Sequence, residues 1–106
     1  MTNEIELKRM AEQGNDEAQY LLGSMYMDEH HFADGMHWLK KSAIQGYGFA
    51  QDAVCLCYQY GIGVEIDKFQ SNYWGKKAYE NERSGNYIPN TYKLPKCVLT
   101  KLRELM

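Results

Sequence analysis

The chain repeats itself, and that constrains its fold more than any other property. Displaced by 32 residues, Leu7, Lys8, Ala11, Gln13, Gly14, Ala18, Gln19 and Tyr26 fall on Leu39, Lys40, Ala43, Gln45, Gly46, Ala50, Gln51 and Tyr58. Displaced by 36 residues, Trp38, Lys40 and Lys41 fall on Trp74, Lys76 and Lys77. The two offsets differ because Tyr26 to Trp38 is four residues shorter than Tyr58 to Trp74. One unit is therefore present twice, with a trimmed loop between the helices of its first copy. A repeat of this length predicts stacked helical hairpins.

Helix punctuation agrees with that reading. Residues 4–13 predict a helix closed by Gly14, and Asn15 or Asp16 caps a second helix over 16–28. Its apolar stripe is Ala18, Leu21, Leu22, Met25 and Tyr26, at helical spacing. A polar break, Asp28 to His31, precedes a third helix near 32–45, where Phe32, Met36, Leu39 and Ala43 share a face before Gly46. A fourth helix is predicted over 48–60, with Ala50, Val54, Leu56 and Tyr58 apolar. The loop Gly61-Ile-Gly63-Val64 follows, and Asp67 caps a fifth helix ending near 83. Gly85, Pro89 and Pro95 then break helical continuation. A last helix, about 95–105, presents Val98, Leu99, Leu102 and Leu105, and is expected to cap the exposed end of the stack. The repeated small residues Ala18 and Ala50, with Gly35 and Ser71, mark close helix approaches. Tyr26, Tyr58, Trp38 and Trp74 are expected to supply large rings, and Tyr58 to be buried.

The division is a single domain over 1–106: a lone N-terminal helix (4–14), a first repeat (15–46), a second repeat (47–84), and a loop with a capping helix (85–106). At 106 residues, 44% hydrophobic and 25% charged, the chain has the composition of one globular domain. The polar, acidic start Met1-Thr-Asn-Glu-Ile-Glu predicts no secretory leader, and no run approaches a membrane span. Cys55, Cys57 and Cys97 show no framework spacing, which predicts reduced thiols and a cytoplasmic setting. Net charge is −2. Residues 1–53 hold nine acids and four bases, and residues 54–106 five acids and eight bases. The acidic half is suited to attracting a basic partner, and no dense Lys/Arg stripe suggests nucleic acid.

Other chemistry finds little support. His30, His31 and His37, with Asp28, Glu29 and Asp34, lack the spacing of a zinc site, so no metal is expected. Cys55 and Cys57 have no base supplied by any motif, so no catalytic residue, cofactor or small-molecule substrate is predicted. Gly61-Ile-Gly63 lacks the third glycine and the preceding strand of a phosphate loop.

The arrangement Ala50-x-x-x-Val54-x-x-x-Tyr58-x-x-Gly61-x-Gly63-Val64-x-x-Asp67, followed by Trp74-x-x-Lys77-Ala78, resembles the Sel-one-like repeat family of the tetratricopeptide-like superfamily. Leu22-Gly23-x-x-Tyr26 and Ala11-Glu12-Gln13-Gly14 fit its other signatures, over about residues 7–82. The departures are the missing glycine loop of the first copy, Cys55 in place of a small glycine, and Tyr79-Glu-Asn81-Glu82 in place of Ala-Glu-Gln-Gly. The resemblance implies an all-α, right-handed superhelix that binds other proteins on a concave face lined by the first helix of each hairpin. Candidates for that face are Glu17, Tyr20, Ser24, Met27 and Asp28 on the first such helix, and Phe49, Asp52, Leu56 and Gln59 on the second. For Tyr20, Met27, Phe49 and Leu56 the alternative is inter-repeat core. Compact bacterial members serve as immunity proteins, which implies a cytoplasmic inhibitor of a toxin with a basic domain. The alternative is an adaptor or regulatory module in signalling or secretion.

Overall fold

The computed structural model describes residues 3–106; Met1 and Thr2, which open the acidic N-terminal run, lie outside the described residues. Six α-helices and no strand are present among them: α1 (Glu4–Glu12), α2 (Asp16–Asp28), α3 (Phe32–Ile44), α4 (Gly48–Tyr60), α5 (Lys68–Arg83) and α6 (Lys96–Glu104), with a 3₁₀ turn at Thr91–Lys93. Side-chain caps explain three of the six starts. Asn3, Asn15 and Asp67 each accept a hydrogen bond from the backbone three residues on, at 2.8, 2.8 and 3.0 Å, satisfying donors that a helix start leaves free.

The helices pack mainly on their sequence neighbours. α2 pairs with α3 and α4 with α5, while α1 lies on α2 and α3 on α4. Leu22, Met27, Leu39, Val54 and Val98 are fully buried. A smaller cluster of Leu7, Ala11, Ala18 and Leu22 seats α1. The radius of gyration, 12.9 Å, matches the value of about 13 Å for a globular chain of this length, so the two hairpins do not form an extended rod.

A hydrogen-bond ladder runs through the repeats. The Gln19 amide donates to the Ala11 carbonyl at 3.0 Å, and the Gln51 amide to the Ala43 carbonyl at 3.2 Å. In turn, Gln45 donates to the Gly14 carbonyl (2.9 Å) and the Gln19 amide oxygen (2.8 Å). Asn81 does the same to Gly46 (2.7 Å) and Gln51 (2.8 Å). Each rung ties one helix end to the next, at the offsets read from the sequence. Asn81 thus fills the role of Gln45 despite the altered motif around it. α5 then continues one turn further than α3, to Arg83, because its terminating glycine stands at Gly85 rather than at position 82.

The shortened first loop closes without glycine. His30 takes a left-handed φ of +63°. The His31 N–H reaches the Tyr26 carbonyl at 2.8 Å, and the His30 N–H reaches the Met27 carbonyl at 3.0 Å. This is the six-to-one and five-to-two bonding of a Schellman ending. In the second copy Gly61, at φ +70°, takes the left-handed position instead.

Cys55 has a compensating partner. In the first copy Gly23 faces Leu39, and an added Cβ at Gly23 would lie 2.9 Å from the Gly35 carbonyl oxygen and from the Leu39 backbone nitrogen. In the second copy the larger residue has changed sides: Cys55 stands opposite Gly75, whose added Cβ would meet the Cys55 sulfur at 3.1 Å. The side chain that fills the space between paired helices thus comes from the opposite helix in the second copy, and because cysteine is smaller than leucine a depression lined by Cys55 and Gly75 remains there.

Three packing expectations require correction. Tyr26 and Tyr58 are half-buried rather than central; the Lys40 ammonium lies 5.0 Å above the Tyr58 ring. Leu21 and Leu105 are exposed. Finally, α6 does not sit on the open end of the second hairpin but returns across the chain to contact α2 and α4. At the open end Gln59, Lys68 and Asn72, with Cys55 and Gly75, line a depression, and these three polar residues stand where the first copy has Met27, Phe32 and Met36 at the matching offsets. Polar substitution, not a helix, finishes that surface.

Candidate protein-binding face

The side-by-side placement of α2 and α4 gathers most of the sequence candidates on one face. Tyr20 from α2 meets Tyr47 and Phe49 with ring centroids 5.4 and 6.1 Å apart, and Tyr47 and Phe49 are 5.9 Å apart. Such tilted rings within 7 Å attract one another beyond simple area burial. Asp52 lies one helical turn beyond Gly48 and Phe49 on α4, so its carboxylate borders the same cluster.

This face is covered by the chain's own C-terminal segment. The Tyr87 ring presses on the backbone of Gly48, where an added Cβ would lie 2.2 Å from the ring. It also meets Phe49 edge-on at 5.0 Å. Its hydroxyl donates to the Asp52 carboxylate. The Tyr20 hydroxyl donates to the Lys93 carbonyl, and the Lys93 ammonium lies 5.5 Å above the Phe49 ring. Farther along, the Asp28 carboxylate accepts from the Cys97 N–H at 3.1 Å, at the start of α6. Leu56 is half-buried and lines a cavity of about 200 Å³ with Leu94 and Leu102.

The nine candidates therefore divide. Tyr20 and Met27 are core, at 3% and 0% exposure, and neither presents a free surface. Met27 packs instead against Gly35, where an added Cβ would approach its sulfur to 2.6 Å. Phe49 and Asp52 are partly buried beneath the strap, Leu56 beside it, and Ser24 and Asp28 border α6. Only Glu17 and Gln59 stand clear of it, both exposed. Tyr47 and Gly48 on the face, and Tyr87 and Lys93 on the segment that covers it, are not among the candidates read from the sequence. Tyr47 and Gly48 stand just before the candidates taken from α4, and Tyr87 and Lys93 lie in the tail, where no repeat supplies a template.

The electrostatics follow from burial. Burial raises the Asp52 carboxyl above its ordinary value, although the bond from Tyr87 acts in the opposite direction. Burial also pushes the Tyr20 and Tyr87 phenols well above theirs; for Tyr87 the Asp52 charge adds to the rise. A phenol whose folded pKa exceeds its unfolded one stabilises the fold below the unfolded value, and that contribution is lost as pH rises past it. Stability is accordingly expected to fall as pH rises above the ordinary phenol value of 10.0. Absorbance at 295 nm should show two of the nine tyrosines ionising only with the loss of helical circular dichroism. Ionisation of all nine before unfolding would refute the burial of these two phenols.

Elsewhere, burial raises the Cys57 thiol to about 12 and the Cys97 thiol to about 11, so neither is poised as a thiolate nucleophile near neutral pH. His30 stacks on Phe32 at 5.3 Å and His37 packs edge-on against Trp38 at 5.2 Å. Among the described residues no group of three or more ligating side chains converges on a metal position, and no helix is long and apolar enough to cross a membrane. No family model, curated protein or solved structure matches this chain.

Proposed function

We propose that this chain is a Sel-one-like repeat module, with its hairpins stacked in a short right-handed superhelix, that works by binding another protein. The reading rests on one observation: the α2/α4 face already receives a stretch of the chain's own polypeptide from outside the repeats, running from Tyr87 to the start of α6. It does so with an aromatic cluster, a tyrosine hydroxyl bonded to a main-chain carbonyl, and a carboxylate bonded to a main-chain N–H. These groups recognise polypeptide rather than a small metabolite, and rigid aromatic anchors ringed by polar groups are what protein interfaces favour. The repeat ladder supports the superhelical stacking, because equivalent bonds recur at equivalent offsets.

In its specific form, the proposal is a cytoplasmic inhibitor that occludes a basic toxin domain. Glu4, Glu6, Glu12 and Glu17 are exposed on α1 and at the start of α2, and none is in an ion pair among the described residues. This acidic margin would speed encounter with a positive partner and make association salt-dependent. The chain would act by steric cover and not by catalysis.

The test is affinity capture from the source cell with the native chain and with a Glu6→Lys/Glu12→Lys/Glu17→Lys variant. A basic protein should be recovered stoichiometrically by the native chain at low salt, and at least tenfold less by the variant. Equal recovery by both, with unchanged circular dichroism, would remove the acidic margin from the proposal. Recovery of a consistently acidic partner would remove the toxin reading.

A further inference from the structure

The segment between α5 and α6 touches the α2/α4 face at its two ends and hardly at all between them. At one end stands Tyr87, 6% exposed, flat on the Gly48 backbone and bonded to Asp52. At the other, Lys93 offers its carbonyl to Tyr20 and its ammonium to the Phe49 ring. Ile88 and Tyr92, in between, are 82% and 85% exposed. Large apolar side chains held this far out of contact add nothing to the packing of the strap. α6 is anchored separately, through the fully buried Val98.

Cavities flank Tyr87 on both sides. One of about 460 Å³ is lined by Asp16, Tyr47, Phe49 and Lys93 among others. The other, of about 200 Å³, is lined by Asp52, Leu56 and Leu94 among others. Tyr87 borders both and stands between them. Lifting this one ring would join them into a continuous cleft across α4, floored by Gly48 and bearing the Asp52 carboxylate.

We infer that the α2/α4 face is a polypeptide groove and that residues 85–94 are its tethered competitor. The partner segment that fits is read from the segment now bound: a tyrosine-like ring with a hydroxyl donor for Asp52, and a cationic side chain about six residues further on for the Phe49 face. The inference rests on the protein-binding reading above and names what that face would hold. A tether of this length holds its segment at an effective concentration on the order of millimolar. An incoming segment of equal intrinsic affinity therefore competes only weakly until Tyr87 is released.

The experiment needs no knowledge of the natural partner. A fluorescein-labelled synthetic peptide of residues 85–94 is titrated into the full chain, its Tyr87→Ala variant and its Tyr87→Phe variant, with binding followed by anisotropy. The native chain is expected to show no saturation below about 1 mM. Tyr87→Ala should bind the peptide at least tenfold more tightly. Tyr87→Phe, which keeps the ring on Gly48 but loses the bond to Asp52, should shift in the same direction by a smaller factor. Adding Phe49→Ala to either variant should abolish the gain.

Equal binding by the native chain and a folded variant, including no binding by any, overturns the inference. So does a gain that survives Phe49→Ala, because the peptide would then be held elsewhere. If Tyr87→Ala does not fold, the Tyr87→Phe comparison decides alone. The charge-reversal capture described above alters none of the residues in this measurement, so failure of one is separable from failure of the other.

Discussion

Leu39→Ala is expected to lower the unfolding free energy by about 2–5 kcal/mol, read as a shift in urea midpoint at unchanged slope. Leu39 is fully buried and rests in the space that Gly23 leaves open on the facing helix. Its loss removes apolar burial and opens a void that two backbones held close together cannot readily collapse. Gly23→Ala attacks the same contact from the other side. The new methyl would meet the Gly35 carbonyl oxygen, Leu39 Cγ and the Leu39 nitrogen, each at 2.9 Å, and is expected to cost about 1–3 kcal/mol through overpacking. The double variant decides whether the two positions share one volume. Its cost should fall below the sum of the single costs by about 0.5 kcal/mol or more, because the methyl occupies space that Leu39 has vacated. Relief is incomplete, since the two backbone contacts remain. Strict additivity would show that the positions do not share a packing site, and the Cys55–Gly75 exchange would lose its explanation.

That exchange shows what single positions conceal. Cys55 read alone is a departure from the repeat, and so is Gly75 where Leu39 is expected. Only the pairing across α4 and α5 turns two departures into one exchange, in which the small and the larger residue swap helices, and pairing is a property of three-dimensional adjacency. Helix limits were legible because they depend on local chemistry. Asn15, Asp67, Gly14 and Gly46 act within a turn of their own positions, and the observed limits lie within two residues of those read from them. The course of the tail was not legible. The apolar spacing of Val98, Leu99 and Leu102 shows that α6 must dock, but amphipathicity carries no address. The expectation that it covers the end of the array failed because that end is already polar at Gln59, Lys68 and Asn72. The unburied apolar surface lay along α2 and α4 instead. There Tyr20, Phe49 and Leu56 stand at positions that helical spacing correctly puts together, and that spacing cannot say whether a partner or the chain itself covers them.

Gln19 and Gln51 were visible as identities, yet their role was not. A glutamine on a helix is ordinarily a solvated residue, whereas here the two are 5% and 4% exposed and bonded at both ends of the amide. Gln51→Leu tests what the ladder contributes. The substitution keeps the bulk but leaves one part-buried Asn81 N–H without its acceptor, while the other still donates to the Gly46 carbonyl. It also withdraws one of two donors from the Ala43 carbonyl, which retains the Gly46 N–H at 3.0 Å. An unsatisfied group of this kind costs about 1–3 kcal/mol, more than the net worth of a formed bond. Gln45→Leu likewise takes the donor from the Gln19 oxygen, in a part-buried contact. Gln45 itself is exposed and water can enter in its place, so the change should cost less than Gln51→Leu, about 1 kcal/mol or below. The contrast between the two is the informative quantity. Adding Asn81→Leu to Gln51→Leu should then recover part of the loss, because an apolar pair leaves neither partner stranded. If Gln51→Leu and Gln45→Leu cost the same in urea denaturation, the buried rung adds no stability beyond the solvated one. Equal costs near zero would leave the repeat held by apolar packing alone.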